Sequence, residues 1–330
     1  MKSEVFNPSL CIVLKTAHLY YIEKKSQKEV AEELNISNAT VSRLLKRAEA
    51  EGIISIEIRS PYCECIQLEK SLCAHFGLKE VIVVPATRLK GQVAESSEEE
   101  ETKKMVALEA ARYVQRVLSH DDLLGIAWGG TMYYVIQYLN PCQKVGASFV
   151  TLHGSLSCCD YNLDVNTLVQ RMAMAFGGKH YSIASEGLMD TSEQVRMLTS
   201  QKRVSQIFES FKNVTISVSG TGSLYPNADS PLSRLAYLKA EELAELREKG
   251  AYGDLMLRFF DANGEECPTD LKERTLAIDL DVYRSIPTKM IAASGAKKAH
   301  TLLALLKGRL VDVLVIDDKL ALAVSRLGGL

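Results

Sequence analysis

From Tyr62 to the C-terminus, short apolar runs of strand length alternate with stretches of helix length, and few architectures admit that rhythm. The spacing predicts strands over 81–84, 123–127, 147–152, 214–218, 275–278, 289–293 and 311–316. Helices are predicted over 67–76, 103–118, 131–138, 165–176, 192–199, 203–211 and 296–306. Strand–helix–strand repetition calls for a parallel α/β sheet with helices laid over it. The acidic run Glu98 to Glu101 reads as a solvated helix start, where negative charge complements the helix dipole. The chain has 330 residues, enough for one small domain and one large one, and no internal repeat is visible.

The first 60 residues follow a different pattern. Residues 10–23 place Leu10, Val13, Leu14, Ala17 and Tyr21 at helical spacing. Ser26 begins a second helix, with Glu29 three positions on to complete a capping box. Val30, Ala31 and Leu34 point inward, and Asn35 suits a left-handed turn. Ser37 caps a third helix from Asn38 to about Glu51, where Gly52 stops it. Alternation over 53–59 predicts a short strand, and Ser60-Pro61 marks a domain boundary. The expected division is 1–60 and 61–330.

Gln27 to Lys46 is the strongest local signal. Small Ala31 lets two helices cross closely, Asn35 makes the turn, and Ile36 and Val41 fill the angle between them. The outward face of the third helix carries three basic residues and no acidic one between 38 and 47. This is the pattern of a winged-type helix-turn-helix on double-stranded DNA, whose second helix enters the major groove. Asn38, Thr40 and Ser42 can reach base edges, Arg43 a guanine or a phosphate. Lys46 and Arg47 suit phosphates, and Ser37 completes the candidate surface. A helical hairpin used for protein contacts is the competing reading. Two half-sites on a symmetric oligomer would raise the affinity of so small a domain.

Composition narrows the alternatives. A net charge of −2 excludes a wholly basic nucleic-acid coat but leaves room for one basic face. No segment approaches ~18 consecutive apolar residues, so no membrane span is expected. The first ten residues lack the apolar centre of a signal peptide. Eight irregularly spaced cysteines then read as reduced thiols of a cytoplasmic protein. Cys63-x-Cys65 and Cys158-Cys159 lack the paired spacing of a zinc site, so no metal is expected.

Two glycine loops end predicted strands. Trp128-Gly129-Gly130-Thr131 opens a helix, where backbone N–H groups and the Thr131 hydroxyl can surround an oxyanion. On spacing alone a plain strand-to-helix turn serves equally well. Gly220-Thr221-Gly222-Ser223 follows another strand and can face the same crevice. It is not a complete dinucleotide fingerprint, so no nicotinamide cofactor is inferred. His153-Gly154-Ser155 ends a third strand; His153 can bond a ligand or simply pack. Asn166 can cap a helix or bond a ligand, and Asp254 can accept from hydroxyls or hold a turn. Asp261 reads as fixing the turn into Asn263-Gly264. Lys298 near a helix start can meet a phosphate or stay solvated. No matched acid and base, no Gly-x-Ser-x-Gly and no metal pair support an enzyme. A DNA-bound scaffold whose large domain only oligomerises is the third reading.

Leu19-Tyr20-Tyr21, Ser26-Gln27, 31–37 and 40–45 together resemble the start of the SorC family of sugar-responsive transcription regulators, above all its deoxyribonucleoside-regulator branch. The similarity continues through 125–132, 165–168, 220–223, Gly253-Asp254-Leu255, Phe259-Phe260-Asp261, Gly264, Ser294-Gly295, Lys298 and 311–318. It implies an effector domain similar to sugar-phosphate isomerases but without turnover, tetramers or dimers that pair on DNA, and a phosphorylated-sugar effector. The family's strand end reads Thr-Asp-Glu or similar, where this chain has Ile316-Asp317-Asp318. The branch also carries a lysine before the glycine at position 154, placed to condense with a sugar aldehyde. This chain has His153 there, which forms no stable Schiff base, so non-covalent binding is expected and deoxyribose phosphate is disfavoured. The implied effector residues are Gly129, Gly130, Thr131, His153, Gly154, Ser155, Asn166, Gly220, Thr221, Gly222, Asp254 and Lys298.

Overall fold

A computed structural model describes residues 9–56, 62–86, 95–157, 160–234 and 237–330. The chain divides into two compact units, Met1–Arg59 and Ser60–Leu330. In the first, α1 (Leu10–Ala17) is continued by a π-helical turn, His18–Ile22, and followed by α2 (Gln27–Glu33) and α3 (Asn38–Ala50). The capping box forms: Glu29 N–H donates to Ser26 Oγ, and Ser26 N–H to Glu29 Oε2 at 2.7 Å. Asn35 takes φ +53°, and the next residue, Ile36, closes the turn with its N–H on Ala31 O at 2.9 Å. Val30, Ala31, Val41 and Leu45 bury against Leu19, while Leu44 and Ala48 pack on Val13 and Ala17. The strand expected over 53–59 does not form over 53–56, and its remainder lies outside the described residues.

The second unit begins with α4 (Tyr62–Phe76), β1 (Glu80–Val84), α5 (Glu95–Val117), β2 (Leu123–Ile126), α6 (Gly130–Gln137) and β3 (Ser148–Thr151). It continues with α7 (Val165–Phe176), β4 (Lys179–Tyr181), α8 (Ser192–Thr199), α9 (Lys202–Ser210), β5 (Ile216–Ser219) and β6 (Gly222–Ser223). Then come α10 (Pro231–Arg234), α11 (Ala240–Glu248), β7 (Gly253–Leu255), β8 (Arg258–Phe260), α12 (Asp270–Arg274) and α13 (Leu280–Arg284). Last are β9 (Thr288–Ala293), α14 (Ala299–Lys307), β10 (Val313–Asp317) and α15 (Asp318–Gly328).

Seven strands form one sheet in the order β1-β10-β9-β5-β2-β3-β4, every pair parallel. Period-two alternation feeds both faces: Val313 and Val315 join one core, and Leu314 and Ile316 the other. Burial on both faces explains why these strands read as unbroken apolar runs. A small antiparallel sheet, β6-β7-β8, stands apart.

Two expectations change, and one strand was not expected. Residues 275–278 do not enter the large sheet; they bridge His153 through Ala277 and Leu188 through Thr275. Held between α12 and α13, this run spends its backbone bonds on loops: Leu276 O accepts from Gly154 N–H at 2.9 Å and Ile278 N–H donates to Leu152 O at 2.8 Å. The helix expected from 103 begins at Glu95, so the acidic run lies inside it. β4, an exposed edge strand of Lys179, His180 and Tyr181, was unforeseen because it has no apolar run.

Candidate DNA interface and effector crevice

On α3, Ser37, Asn38, Arg43 and Lys46 are exposed, and Thr40, Ser42 and Arg47 are half-buried. Val41, Leu44, Leu45 and Ala48 fill the opposite face. Ser37 is occupied as the cap, accepting Thr40 N–H at 3.2 Å, with Thr40 Oγ1 a further 2.9 Å from its hydroxyl. Arg43 Nη2 donates to Thr40 Oγ1 at 3.3 Å, so its guanidinium lies back along the N-terminal turn. Arg47 is tied to Glu51 on its own helix at 2.5 Å. The face that can enter a groove is therefore Asn38, Thr40, Ser42 and Arg43, with Lys46 one turn on.

In the second unit the chain leaves β2 outward to β3 on one side, and β5 and β9 lie on the other. The crevice outside the C-terminal ends of β2 and β5 is the topological switch point, the usual ligand position in open α/β sheets. Both glycine loops arise there. Gly129 takes φ +120° with open space where a Cβ would stand, so the backbone conformation, not crowding, demands glycine. It caps α6, which begins at Gly130, and Thr131 is buried behind it.

The second loop is wired to Asp254 and Lys298. Thr221 Oγ1 donates to Asp254 O at 2.8 Å, and Lys298 Nζ to Thr221 O at 2.9 Å. Ser230 Oγ donates to Asp254 Oδ1 at 2.6 Å. A Cβ at Gly222 would stand 2.0 Å from that oxygen, so glycine is needed for the carboxyl to sit there. Burial pushes the Asp254 carboxyl up to about 6, against the Ser230 bond and the Lys298 charge. Desolvation lowers the Lys298 ammonium below the ordinary lysine range, and Asp254 opposes that shift.

His153 is fully buried. Its Nε2 accepts Trp128 N–H at 3.1 Å, and its other nitrogen lies 2.6 Å from Gly154 O. Burial holds its pKa at about 4, so the ring is neutral, and the contacts fix the proton on Nδ1. Beyond it opens a cavity of about 500 Å³, lined by Ser155, Ser157, Tyr161, Asn166, Gln170 and Ser182 among others. Asp164 caps α7 through Asn166 N–H at 3.0 Å and accepts the Ser155 hydroxyl. The Oδ1 of Asn166 is buried with no hydrogen-bond partner among the described residues, an acceptor that a hydroxyl-bearing ligand can satisfy.

Residues 60–325 match the Sugar-bind family of sugar-binding domains, and residues 23–55 match a winged helix-turn-helix DNA-binding family. The chain is 31% identical over 313 residues to the deoxyribonucleoside regulator of Bacillus subtilis, covering 94% of this chain and 96% of that one. It is 28% identical to the sorbitol operon regulator of Klebsiella pneumoniae, with the same coverage. The crystal structure of that full-length regulator superposes with a TM-score of 0.72 at 26% identity, covering 97% of this chain and all of that one. This chain belongs to the SorC family of sugar-binding transcription regulators.

In this SorC-type regulator the twelve implied effector residues do not form one cluster. Gly220, Thr221, Gly222, Asp254 and Lys298 meet at the end of β5. Gly129, Gly130 and Thr131 form the loop after β2. Ser155 and Asn166 line the cavity beyond β3. Two residues turn out differently. His153 spends both ring nitrogens on backbone and is a strut beneath the Trp128 loop. Gly154 faces backbone: a Cβ there would meet Ser185 O at 2.6 Å and Glu186 O at 2.7 Å. Ser230, which seats Asp254, escaped sequence reasoning because nothing marks a serine 24 positions away as its partner. Tyr161, Gln170 and Ser182 carry no motif either. The relatives named above are regulators, not enzymes.

Proposed function

We propose that this regulator binds double-stranded operator DNA through Ser37, Asn38, Thr40, Ser42, Arg43, Lys46 and Arg47, under the control of a phosphorylated sugar held non-covalently. The observation that carries the reading is the convergence of a glycine loop, Lys298 and Asp254 at the switch point, beside a second glycine loop that caps α6. Backbone N–H groups and the ammonium suit a phosphate. The Asp254 carboxyl and the cavity of hydroxyl and amide groups suit sugar hydroxyls. Non-covalent binding is supported by His153, a neutral ring with both nitrogens engaged where the related branch carries an amine. A homo-oligomer, a tetramer or a dimer of dimers, acting in the cytoplasm would give paired heads to a two-fold operator. Ordering the ligand loops in one arrangement of that oligomer would shift its affinity for DNA.

The test is fluorescence anisotropy on DNA from upstream of the regulator's own gene, at stated salt, with and without a panel of sugar phosphates. Sequence-dependent binding that one compound shifts supports the reading. No preference over random DNA, or a shift by unphosphorylated sugars alone, overturns the corresponding half.

A further inference from the structure

We propose that Lys103, on α5, is a second anion-binding cation of the effector crevice, acting with Lys298 and leaving Glu100 when a phosphate arrives. This inference rests on the phosphate reading above. The groups wired together at the end of β5 carry little net positive charge: Lys298 Nζ donates to Thr221 O and Thr221 Oγ1 to Asp254 O, so one ammonium and one carboxyl belong to the same cluster. A phosphate monoester brings about −1.5 to −2 charges. One lysine already facing a carboxylate does not balance a dianion in a desolvated crevice.

The first turns of α5 lie where the missing charge is needed. Glu99 accepts from Lys297 Nζ at 3.0 Å, which places the acidic start of the helix beside the turn that carries Lys298, and Glu98 accepts from Lys319 on α15. On the other side, Lys104 stands 5.8 Å from the ring of Tyr134 on α6, the helix opened by the Gly129-Gly130-Thr131 loop. Lys103 sits four residues after Glu99, on the helix face that meets Lys297. Around Lys298 the positive charges of Lys103 and Arg234 work against the ammonium, while Asp254 and Asp229 work for it. Like charges gathered beside two glycine loops are an arrangement that a bound anion relieves.

Lys103 is also held loosely enough to be released. Its Nζ lies 2.6 Å from Glu100 Oε2, with the side chains 32% and 42% exposed, and ion pairs so exposed are weak. The neighbouring Lys104 has its own carboxylate, Glu101 at 2.7 Å, which makes it the natural control.

The only tryptophan of the chain, Trp128, directly precedes Gly129, so its emission reads the crevice. We would titrate the full chain with inorganic phosphate and follow that emission in wild type, Lys103→Gln, Lys103→Arg, Lys104→Gln and Lys298→Gln. The expected result is a loss of about tenfold or more in phosphate affinity for Lys103→Gln, with a shallower salt dependence. Lys103→Arg should stay near wild type, Lys104→Gln should match wild type, and thermal unfolding midpoints should be unchanged. Wild-type affinity in Lys103→Gln together with loss in Lys298→Gln overturns the role of Lys103 and leaves the phosphate site standing. Equal loss in Lys103→Gln and Lys103→Arg overturns a role based on charge. No phosphate response in wild type overturns the phosphate reading and this inference with it.

Discussion

The imidazole of His153 joins two strand ends: Nε2 accepts Trp128 N–H from the end of β2 at 3.1 Å, and Nδ1–H donates to Gly154 O at 2.6 Å. Only the neutral ring with its proton on Nδ1 makes both bonds. The folded pKa of about 4 lies below the ordinary 6.5, so between these values the unfolded chain binds more protons. The contribution of His153 to stability is therefore complete above about 6.5 and falls as pH drops toward 4. His153→Ala should cost about 2–4 kcal/mol at neutral pH, from two lost bonds and a cavity. Urea unfolding from pH 4 to 7 checks both points; a variant as stable as wild type at pH 7 would remove the strut.

Asp254 works in the opposite sense. Its folded pKa, about 6, is raised above the ordinary 3.8, so its contribution is present below 3.8 and is lost as pH rises through 6. Asp254→Asn keeps an acceptor for Ser230 Oγ and removes the buried charge. We expect the variant to gain stability relative to wild type between pH 4 and 7 while losing sugar-phosphate binding. Unfolding and ligand titrations at the two ends of that window measure the trade. A variant whose stability difference from wild type does not change with pH would mean that Asp254 titrates normally.

The parallel sheet was legible because strands covered on both faces, such as β10 and β9, leave unbroken apolar runs. The head was legible for a related reason: the turn at Asn35 and the packing of Ala31 each demand a particular residue type. What failed to show were features whose meaning comes from a distant partner. Leu276 and Ile278 look like a strand because both are buried, yet their bonds go to loops after β3 and around Gly187. His153 looked like a ligand candidate because position along a strand does not reveal that Trp128 N–H already takes its acceptor. Gly154 and Gly222 are both glycines at strand ends, but one is set by Ser185 and Glu186 backbone and the other by the Asp254 carboxyl.

The two arginines of α3 should separate. Among the described residues Arg43 bonds Thr40 on the outward face, whereas Arg47 is paired with Glu51 at 2.5 Å. Arg43→Ala should weaken operator binding by about 1–3 kcal/mol and relax the sequence preference if it reads a base. Arg47→Ala should cost less and mainly lower the salt slope. Neither should change ligand binding in the second unit. Anisotropy at several salt concentrations, on operator and scrambled DNA, distinguishes them; equal losses on both sequences for Arg43→Ala would make it a phosphate contact only.

Gly222→Ala tests the wiring at the end of β5 most directly. The added methyl would stand 2.0 Å from Asp254 Oδ1 and 2.5 Å from Ser230 Oγ, closer than such atoms approach. The backbone cannot yield freely, because Gly222 pairs with Asp254 in the β6-β7 ladder. The carboxyl must therefore move, breaking its 2.6 Å bond with Ser230 and its placement beside Lys298. We expect a loss of about 1–3 kcal/mol in stability, from overpacking. Sugar-phosphate binding should be lost, and DNA binding by the isolated operator assay should persist but no longer respond to ligand. Gly250→Ala is the control, since its φ of +70° is strained for alanine but no atom lies within 4 Å of the new methyl. If Gly222→Ala retains the ligand response while Gly250→Ala behaves alike, the Asp254 carboxyl does not contact the effector.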